Sequence, residues 1–585
     1  MHRTEDTSDL TPSSWNSTLP ERLWAAAESN NGHGLIFVSR TAVETKYSWC
    51  DIADRARRMA TYFDQLGVKF GDRVAIILPT SIEFFDVFFA LQILGAIPVP
   101  LYPPLRLGKL DSYVDKTIAM LKAVQCTLLI TNQRVSKVLG RVVEGYTLPL
   151  GMLKVDSVTL NSHTPIPSWH VYLHADHLAM AQFSSGTTVA PKPVGLTYRN
   201  VLSNTDIICS VVKGNVGCSW LPLYHDMGLI GCIFTAVSKA GTMVLIAPED
   251  FLRRPALWLQ SISKHKAYIS PAPNFAYSYC TKRIKDKELE NVDLSSWTMA
   301  LNGAEAVAPK HLRAFTERFE SKGFHPEALC PVYGLAEASL GVSFSSPKQV
   351  FTAHHFDREA LQVGIVQRAE SGVELASVGK ALPFCTIEIR DEQQATLPTN
   401  HIGEIWVHSP SVMKGYLNDA PSSIVDGWLA TGDLGFYFEE ELYIYGRKKD
   451  VIVLAGQNHA PQDLEMAVDG IEGVRVGCSV AVGKVDSNGE RIYLFVETQN
   501  NTPPTDLAEQ CKQAVLRETG IACDLVVTVK PGTIPRTSSG KLRRRTTLHL
   551  FESGNLLPPK DMTAFNMAGI LTKSMLGHWK AKWRK

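Results

Sequence analysis

Along residues 51–67 the apolar side chains Ile52, Ala56, Met59, Ala60, Phe63 and Leu66 recur at the spacing of one helical face. The chain then enters Arg73-Val-Ala-Ile-Ile-Leu78, short and apolar like a buried strand. The same alternation predicts helices over 84–94 and 114–124 and strands over 96–101, 127–131, 242–247 and 267–271. Buried strands alternating with helices predict an α/β domain built on parallel sheet with helical cover. Beyond Gly379 the period shortens. Residues 386–390, 403–408 and 441–445 alternate between turn residues and predict a small antiparallel β subdomain. The charged run Gly446-Arg-Lys-Lys-Asp450 marks a domain boundary, after which strands at 451–454, 476–482 and 492–497 and a helix over 461–469 predict a smaller α+β domain. The organisation expected is a large domain over 1–446 and a second over 447–585.

Composition narrows the function. With 585 residues, 45% hydrophobic and 20% charged, the chain can bury a large core. The 59 Lys+Arg against 58 Asp+Glu give no broad basic face for nucleic acid. Eleven cysteines without a Cys-x-x-Cys pair suggest neither a disulfide framework nor structural zinc, and fit a reducing cytoplasm. Residues 1–20 are polar, unlike a secretory signal. The most apolar stretch, 84–101, contains Asp86, Gln92, Gly95, Pro98 and Pro100, so no membrane span is expected. The tail over 553–585 carries six Lys or Arg and one Asp beside Trp579 and Trp583. It reads as a solvated tail or docked helix, or alternatively as a surface for an acidic partner.

Candidate chemistry begins at Gln182-Phe-Ser-Ser-Gly-Thr-Thr-Val-Ala-Pro-Lys192. Gly186 would let the backbone approach an anion, Ser184, Ser185, Thr187 and Thr188 would donate hydrogen bonds, and Lys192 would add charge. It is not a Walker loop, and alone it reads as an ordinary turn-rich surface loop. Three further segments follow in order: Tyr333-Gly-Leu-Ala-Glu337, Thr431-Gly-Asp433 with Gly446-Arg447, and Pro535-Arg-Thr-Ser-Ser-Gly-Lys541.

With these motifs together the sequence resembles the ANL superfamily of adenylate-forming enzymes. Asn302-Gly-Ala-Glu305 and Trp220-Leu-Pro-Leu-Tyr-His-Asp-Met-Gly-Leu-Ile-Gly231 make it similar to one branch, the fatty acyl-AMP ligases. The resemblance implies a large N-terminal domain of parallel α/β subdomains plus a small β subdomain, and a smaller mobile α+β C-terminal domain. It implies that ATP and a fatty or related carboxylic acid form an acyl-adenylate, and that the acyl group passes to the phosphopantetheine of an acyl carrier protein.

Residue by residue, the resemblance makes Glu337 the ligand of Mg2+ and Asp433 the ribose acceptor assisted by Arg447. Gly303, Ala304, Tyr333 and Gly334 fall at positions enclosing adenine. His225 falls near the acyl tunnel and α-phosphate, and Lys541 is the mobile lysine that enters the site during adenylation. The hinge falls within 448–450. Taken singly, each has a plainer reading: Glu337 as a helix-terminal carboxylate, Asp433 and Arg447 as a loop salt bridge, His225 as a structural histidine, and Arg543, Arg544 and Arg545 as a solvated face.

Two departures stand out. Val189, Ala190 and Pro193 replace the commoner loop residues around Lys192, and Ala336 replaces a threonine, as in acyl-AMP ligases. Residues 343–377 match in place the insertion of that branch, which there hinders use of coenzyme A. A helix over 357–366 and anchoring by Phe351, Phe356, Leu361, Val363 and Ile365 are expected in it. His354 and His355 read as an exposed loop pair without metal. An acyl-CoA ligase is the alternative, and a silent adenylate-binding scaffold is disfavoured by retention of Glu337, Asp433, Arg447 and Lys541.

Overall fold

The computed structural model describes residues 15–104, 110–159, 172–184, 191–418, 420–454, 457–486, 489–501, 504–537, 540–559 and 564–582. The amphipathic pattern at 51–67 becomes the helix Trp49–Leu66. Ser48 and Asp51 close its N-terminus as a capping box, and left-handed Gly67 (φ 95°) ends it. The helix Ile82–Ile93 buries Phe84, Phe85, Phe88 and Phe89. Its Asp86 accepts two hydrogen bonds from Arg55, at 2.7 and 2.6 Å, which neutralises a charge inside the core. No described helix is long and apolar enough to cross a membrane.

Two sheets with parallel cores organise the large part of the chain. One has four strands in the order Ile97–Pro100, Arg73–Ile77, Leu128–Thr131 and Gly151–Lys154, all parallel. The other has nine. Its parallel centre runs from Leu329–Gly334 through Met299–Asn302, Ile269–Ala272, Val216–Ser219 and Thr242–Ile246 to Gly34–Val38, with antiparallel strands at both margins. The segments 303–305 and 333–337 therefore emerge at or just beyond the C-terminal ends of adjacent parallel strands, where α/β sheets bind ligands. The antiparallel sheet expected beyond Gly379 is present, formed by Thr386–Arg390, Gly403–His408, Trp428–Phe438, Ile424–Val425 and Glu441–Arg447.

After residue 450 the sheet Val474–Asp486, Gly489–Thr498 and Leu525–Val529 packs with the helices Pro461–Val468 and Leu507–Thr519 around a separate core of Leu464, Leu494 and Leu507. The terminal helix Ala564–Lys582 then returns to the helix Gly140–Gly145 of the large part. Ser574 Oγ accepts from the Gly140 amide at 2.8 Å, and Lys580 pairs with Glu144 at 2.7 Å. A Cβ on Gly577 would stand 2.5 Å from the Gly140 carbonyl carbon, so only glycine allows this crossing. The tail thus forms a docked helix rather than a solvated tail over Ala564–Lys582; Trp583 lies outside the described residues.

The insertion differs from expectation in four ways. Ser343 and Phe344 belong to the strand Gly341–Phe344 of the nine-stranded sheet, so the excursion starts at Ser345. Its helix is only Arg358–Gln362, because Gly364 turns the chain left-handed (φ 84°). Val363 and Ile365 are exposed; Phe351 packs against the main core, and Phe356, Leu361, Val366 and Val373 pack with Phe436, Tyr443, Tyr445 and Ala460. His354 stacks on Tyr443 and lies 3.5 Å from Glu439, so it is not an exposed partner of His355. Arg358 reaches Asp463 at 3.2 Å and links the insertion to the C-terminal region. Asp463 has its pKa pushed up to about 6 by burial, against the opposing pull of Arg358.

Candidate active site

The sequence that resembled a phosphate cradle caps a β-hairpin. Leu178–Phe183 pairs antiparallel with Pro193–Thr197, placing Phe183 opposite Pro193, and the Ser184 amide donates to the Lys192 carbonyl at 3.2 Å. Proline at the first residue of a strand removes a donor at little cost to the ladder. Ser185, Gly186, Thr187 and Thr188, with Val189 and Ala190, lie outside the described residues. Gly415–Tyr416 adds a third strand to this hairpin. That brings the Tyr416 ring 5.0 Å from Lys192 Nζ, and the Tyr416 hydroxyl donates to Glu337 Oε1 at 3.2 Å.

Opposite the hairpin, Asp433 and Arg447 are partners in the register of Trp428–Phe438 and Glu441–Arg447, and Arg447 Nε lies 3.0 Å from Asp433 Oδ1. The other carboxylate oxygen accepts from the Tyr333 hydroxyl at 2.8 Å. Burial and this carboxylate push the Tyr333 phenol well above its ordinary value, while Asp433 pushes the Arg447 guanidinium up. Gly334 is required: a Cβ there would stand 1.9 Å from the Leu340 carbonyl oxygen. Ala304 takes a left-handed backbone (φ 70°) beside Gly303, a sparsely populated conformation for alanine.

His225 opens the segment Met227–Phe234, which winds as a π-helix, a wide turn found mostly at functional sites. Its Nδ1 contacts Asp226 Oδ1, which also accepts from the Met227 amide at 2.7 Å. Burial pushes the Asp226 carboxyl up, but His225, Lys541 and the Met227 amide outweigh it and hold it below its ordinary value. Lys541 sits on a tight loop closed by Thr537 N to Lys541 O at 2.8 Å and by the bridge between Arg536 and Leu542; Ser538 and Ser539 lie outside the described residues. Burial and Arg447 push the Lys541 ammonium down, against the opposing pull of Asp226, Asp433 and Glu305. Glu305 accepts from the Phe275 amide at 2.6 Å. Burial pushes its carboxyl up.

A single cavity of about 470 Å³ joins these groups. Ser184, Lys192, His225, Ala304, Tyr333, Gly334, Glu337, Arg447 and Lys541 all line it. Its other half is apolar, walled by Met227, Met243, Ile269, Leu301, Val332 and Phe344. Gly303 and Asp433 are not among the lining residues: Gly303 adjoins Ala304 in the chain, and Asp433 bonds the lining residues Tyr333 and Arg447. Sequence reasoning missed Asp226, although it adjoins His225 in the same motif, and missed Tyr416, whose place depends on long-range strand pairing. Of the arginines after Lys541, only Arg545 is exposed as a solvated face would be. Arg543 and Arg544 are largely buried, with Arg544 held by Glu465 at 2.7 Å and Asp450 at 3.2 Å.

Two sheets with parallel cores, a small antiparallel sheet and a C-terminal lysine loop entering the shared cavity define an adenylate-forming α/β enzyme. Residues 24–417 match the AMP-binding enzyme model and residues 449–559 match the Disco-interacting protein 2-like AMP domain, and the chain belongs to the AMP-binding enzyme family. It is 33% identical over 550 residues to the long-chain-fatty-acid–AMP ligase FadD26 of Mycobacterium marinum, covering 86% of this chain and 91% of that one. It is 32% identical over 547 residues to a Caulobacter vibrioides protein named provisionally as an acyl-CoA synthetase, covering 90% and 94%. A structure from a study of fatty acyl-adenylate ligases from E. coli and L. pneumophila superposes with a TM-score of 0.83 at 32% identity, covering 92% of this chain and 98% of that one.

Proposed function

We propose that the protein is a fatty acyl-AMP ligase, activating a fatty or related carboxylic acid with ATP and passing the acyl group to the phosphopantetheine thiol of an acyl carrier protein. The observation that carries this reading is the continuity of one cavity from a cation-lined half to an apolar half. An acyl chain in the apolar half directs its carboxylate toward His225 and Lys541. The similarity to FadD26 supports the same substrate class.

In the first step a carboxylate oxygen bonds to the α-phosphorus, the bond from that phosphorus to the β-bridging oxygen breaks, and pyrophosphate leaves with the electron pair. Both reactants are anions, so the site must supply positive charge where charge develops. Lys541 and His225 supply it at the carboxylate and α-phosphate. Lys192, Ser184 and the loop residues Ser185, Gly186, Thr187 and Thr188 hold the phosphates. Asp433 with Arg447 takes the ribose hydroxyls, and Gly303, Ala304, Tyr333 and Gly334 enclose adenine. Glu337 fits a Mg2+ ligand: Tyr416 fixes one carboxylate oxygen, the other has no hydrogen-bond partner among the described residues, and one carboxylate plus substrate phosphates is the usual Mg2+ arrangement. The ion would screen the triphosphate.

In the second step the thiol sulfur bonds to the acyl carbonyl carbon, AMP leaves, and the thiol proton passes to solvent. Residues 447–585 turn about 448–450 between the two steps and withdraw Lys541 from residues 1–446. Eleven free cysteines suit a reducing cytoplasm. The name of the Caulobacter relative favours coenzyme A as acceptor, the alternative reading. Separate quantification of acyl-AMP, acyl-CoA and acyl-carrier thioester decides between them. Abundant acyl-AMP and carrier thioester with little acyl-CoA is expected, and efficient acyl-CoA synthesis would overturn the carrier assignment.

A further inference from the structure

The charges around the cavity do not balance. Lys448 pairs with Glu404 at 3.0 Å, and Arg447 pairs with Asp433. Lys541 faces Asp226. Lys192 rests on the Tyr416 ring. Lys449 also lines the cavity, and it has no salt bridge among the described residues. Of the nearby carboxylates, Asp450 is engaged with Arg544 and Asp433 with Arg447 and Tyr333, while Glu337, which also lines the cavity, makes no salt bridge with Lys449 among the described residues.

The backbone holds Lys449 firmly in this place. The Lys448 amide donates to Gly432 O at 3.0 Å, and the Asp450 and Val451 amides donate to Arg447 O at 2.9 and 3.1 Å. From the C-terminal side, Arg545 donates to the Lys449 carbonyl through Nε at 3.0 Å. The half-buried side chain thus starts from a fixed backbone and lies near the like charges of Arg447 and Lys192. Burial, Arg447 and Lys192 push its ammonium below its ordinary value, and Asp450 and Asp433 offset this only in part. Cations that converge on a cavity without carboxylates of their own form a site for an anion.

We propose that Lys449 is a second phosphate ligand beside Lys192, holding the β- and γ-phosphates of ATP and then the pyrophosphate. The inference rests on the adenylation reading above. It also links two events. While pyrophosphate is bound it screens Lys192, Arg447 and Lys449 from one another; once it leaves, their repulsion acts at the residue about which the C-terminal region turns. Pyrophosphate departure thereby favours withdrawal of Lys449.

The test is binding of inorganic pyrophosphate with Mg2+ by calorimetry, compared with binding of AMP, in full-length wild type, Lys449→Ala, Lys449→Gln and Lys449→Arg. Loss of one charge-assisted contact predicts pyrophosphate affinity weakened about tenfold or more in the alanine and glutamine variants. In Lys449→Arg it should stay within about threefold, and AMP affinity should be little changed in all. Equal pyrophosphate affinity in wild type and Lys449→Gln would overturn the inference, as would equal weakening of AMP binding. The glutamine variant keeps a polar side chain, shorter by one methylene, should the alanine variant fold poorly. Wild-type protein that binds neither ligand would instead count against the adenylation reading itself.

Discussion

Tyr333 and Asp433, a hundred residues apart, share a buried 2.8 Å hydrogen bond that ties the nine-stranded sheet to the small antiparallel sheet. With Arg447 on its other oxygen, the Asp433 carboxylate is oriented from two sides before any nucleotide arrives. Removing the tyrosine hydroxyl loosens that orientation without removing the carboxylate. Tyr333→Phe is expected to raise the KM for ATP about threefold to tenfold, the scale of one net hydrogen bond, with kcat within about twofold. Unchanged KM would mean that the bond does not serve nucleotide binding.

Lys541→Ala should slow adenylation by about two to three orders of magnitude, the usual loss when a transition-state charge contact is removed, with an unchanged thermal transition. The lysine acts as a cation, and burial with Arg447 lowers its pKa. As pH rises through that lowered value the cation is lost, so the alkaline decline in adenylation should begin below the ordinary lysine value of about 10.4. Lys541→Arg stays protonated and should flatten that decline. Identical alkaline limbs in wild type and Lys541→Arg would contradict the assignment.

The helix Trp49–Leu66 was legible because its apolar period and its capping box agree at the sequence level. The insertion was legible by position only. Its apolar residues identified a buried face, but Gly364 ended the helix early and turned Val363 and Ile365 outward. In the site, the ordered set of motifs pointed to Glu337, Asp433 and Lys541, whereas Tyr416 and Lys449 owe their positions to pairing between distant segments that local pattern cannot encode. The run of charges at 543–545 reads as solvated surface until its partners are known. Here Arg544 has two carboxylates and Arg545 a carbonyl.

Phe356 is fully buried against Phe436 and Tyr443, so Phe356→Ala should loosen the insertion by removing its main anchor, worth up to about 3–5 kcal/mol for a core phenylalanine. The expected result is more acyl-CoA at unchanged acyl-AMP formation. Deleting residues 346–376 should have the larger effect in the same direction. No gain in either variant would place acceptor choice elsewhere.

The terminal helix should undock when its crossing is filled. Gly577→Leu drives a side chain into the Gly140 backbone, so limited proteolysis within the helix Ala564–Lys582 should quicken while adenylation stays within about twofold. A wild-type cleavage pattern would show that the crossing does not hold the helix.

The reaction proposed for this chain is adenylation of a fatty acid in the cavity shared by Lys192, His225 and Lys541. Acid-dependent exchange of labelled pyrophosphate into ATP tests it most directly, since exchange requires reversible acyl-adenylate formation and no acceptor. The account predicts exchange with fatty acids that is absent without acid and strongly reduced in Lys541→Ala. A folded protein that exchanges no pyrophosphate with any member of a broad panel of carboxylic acids would contradict it.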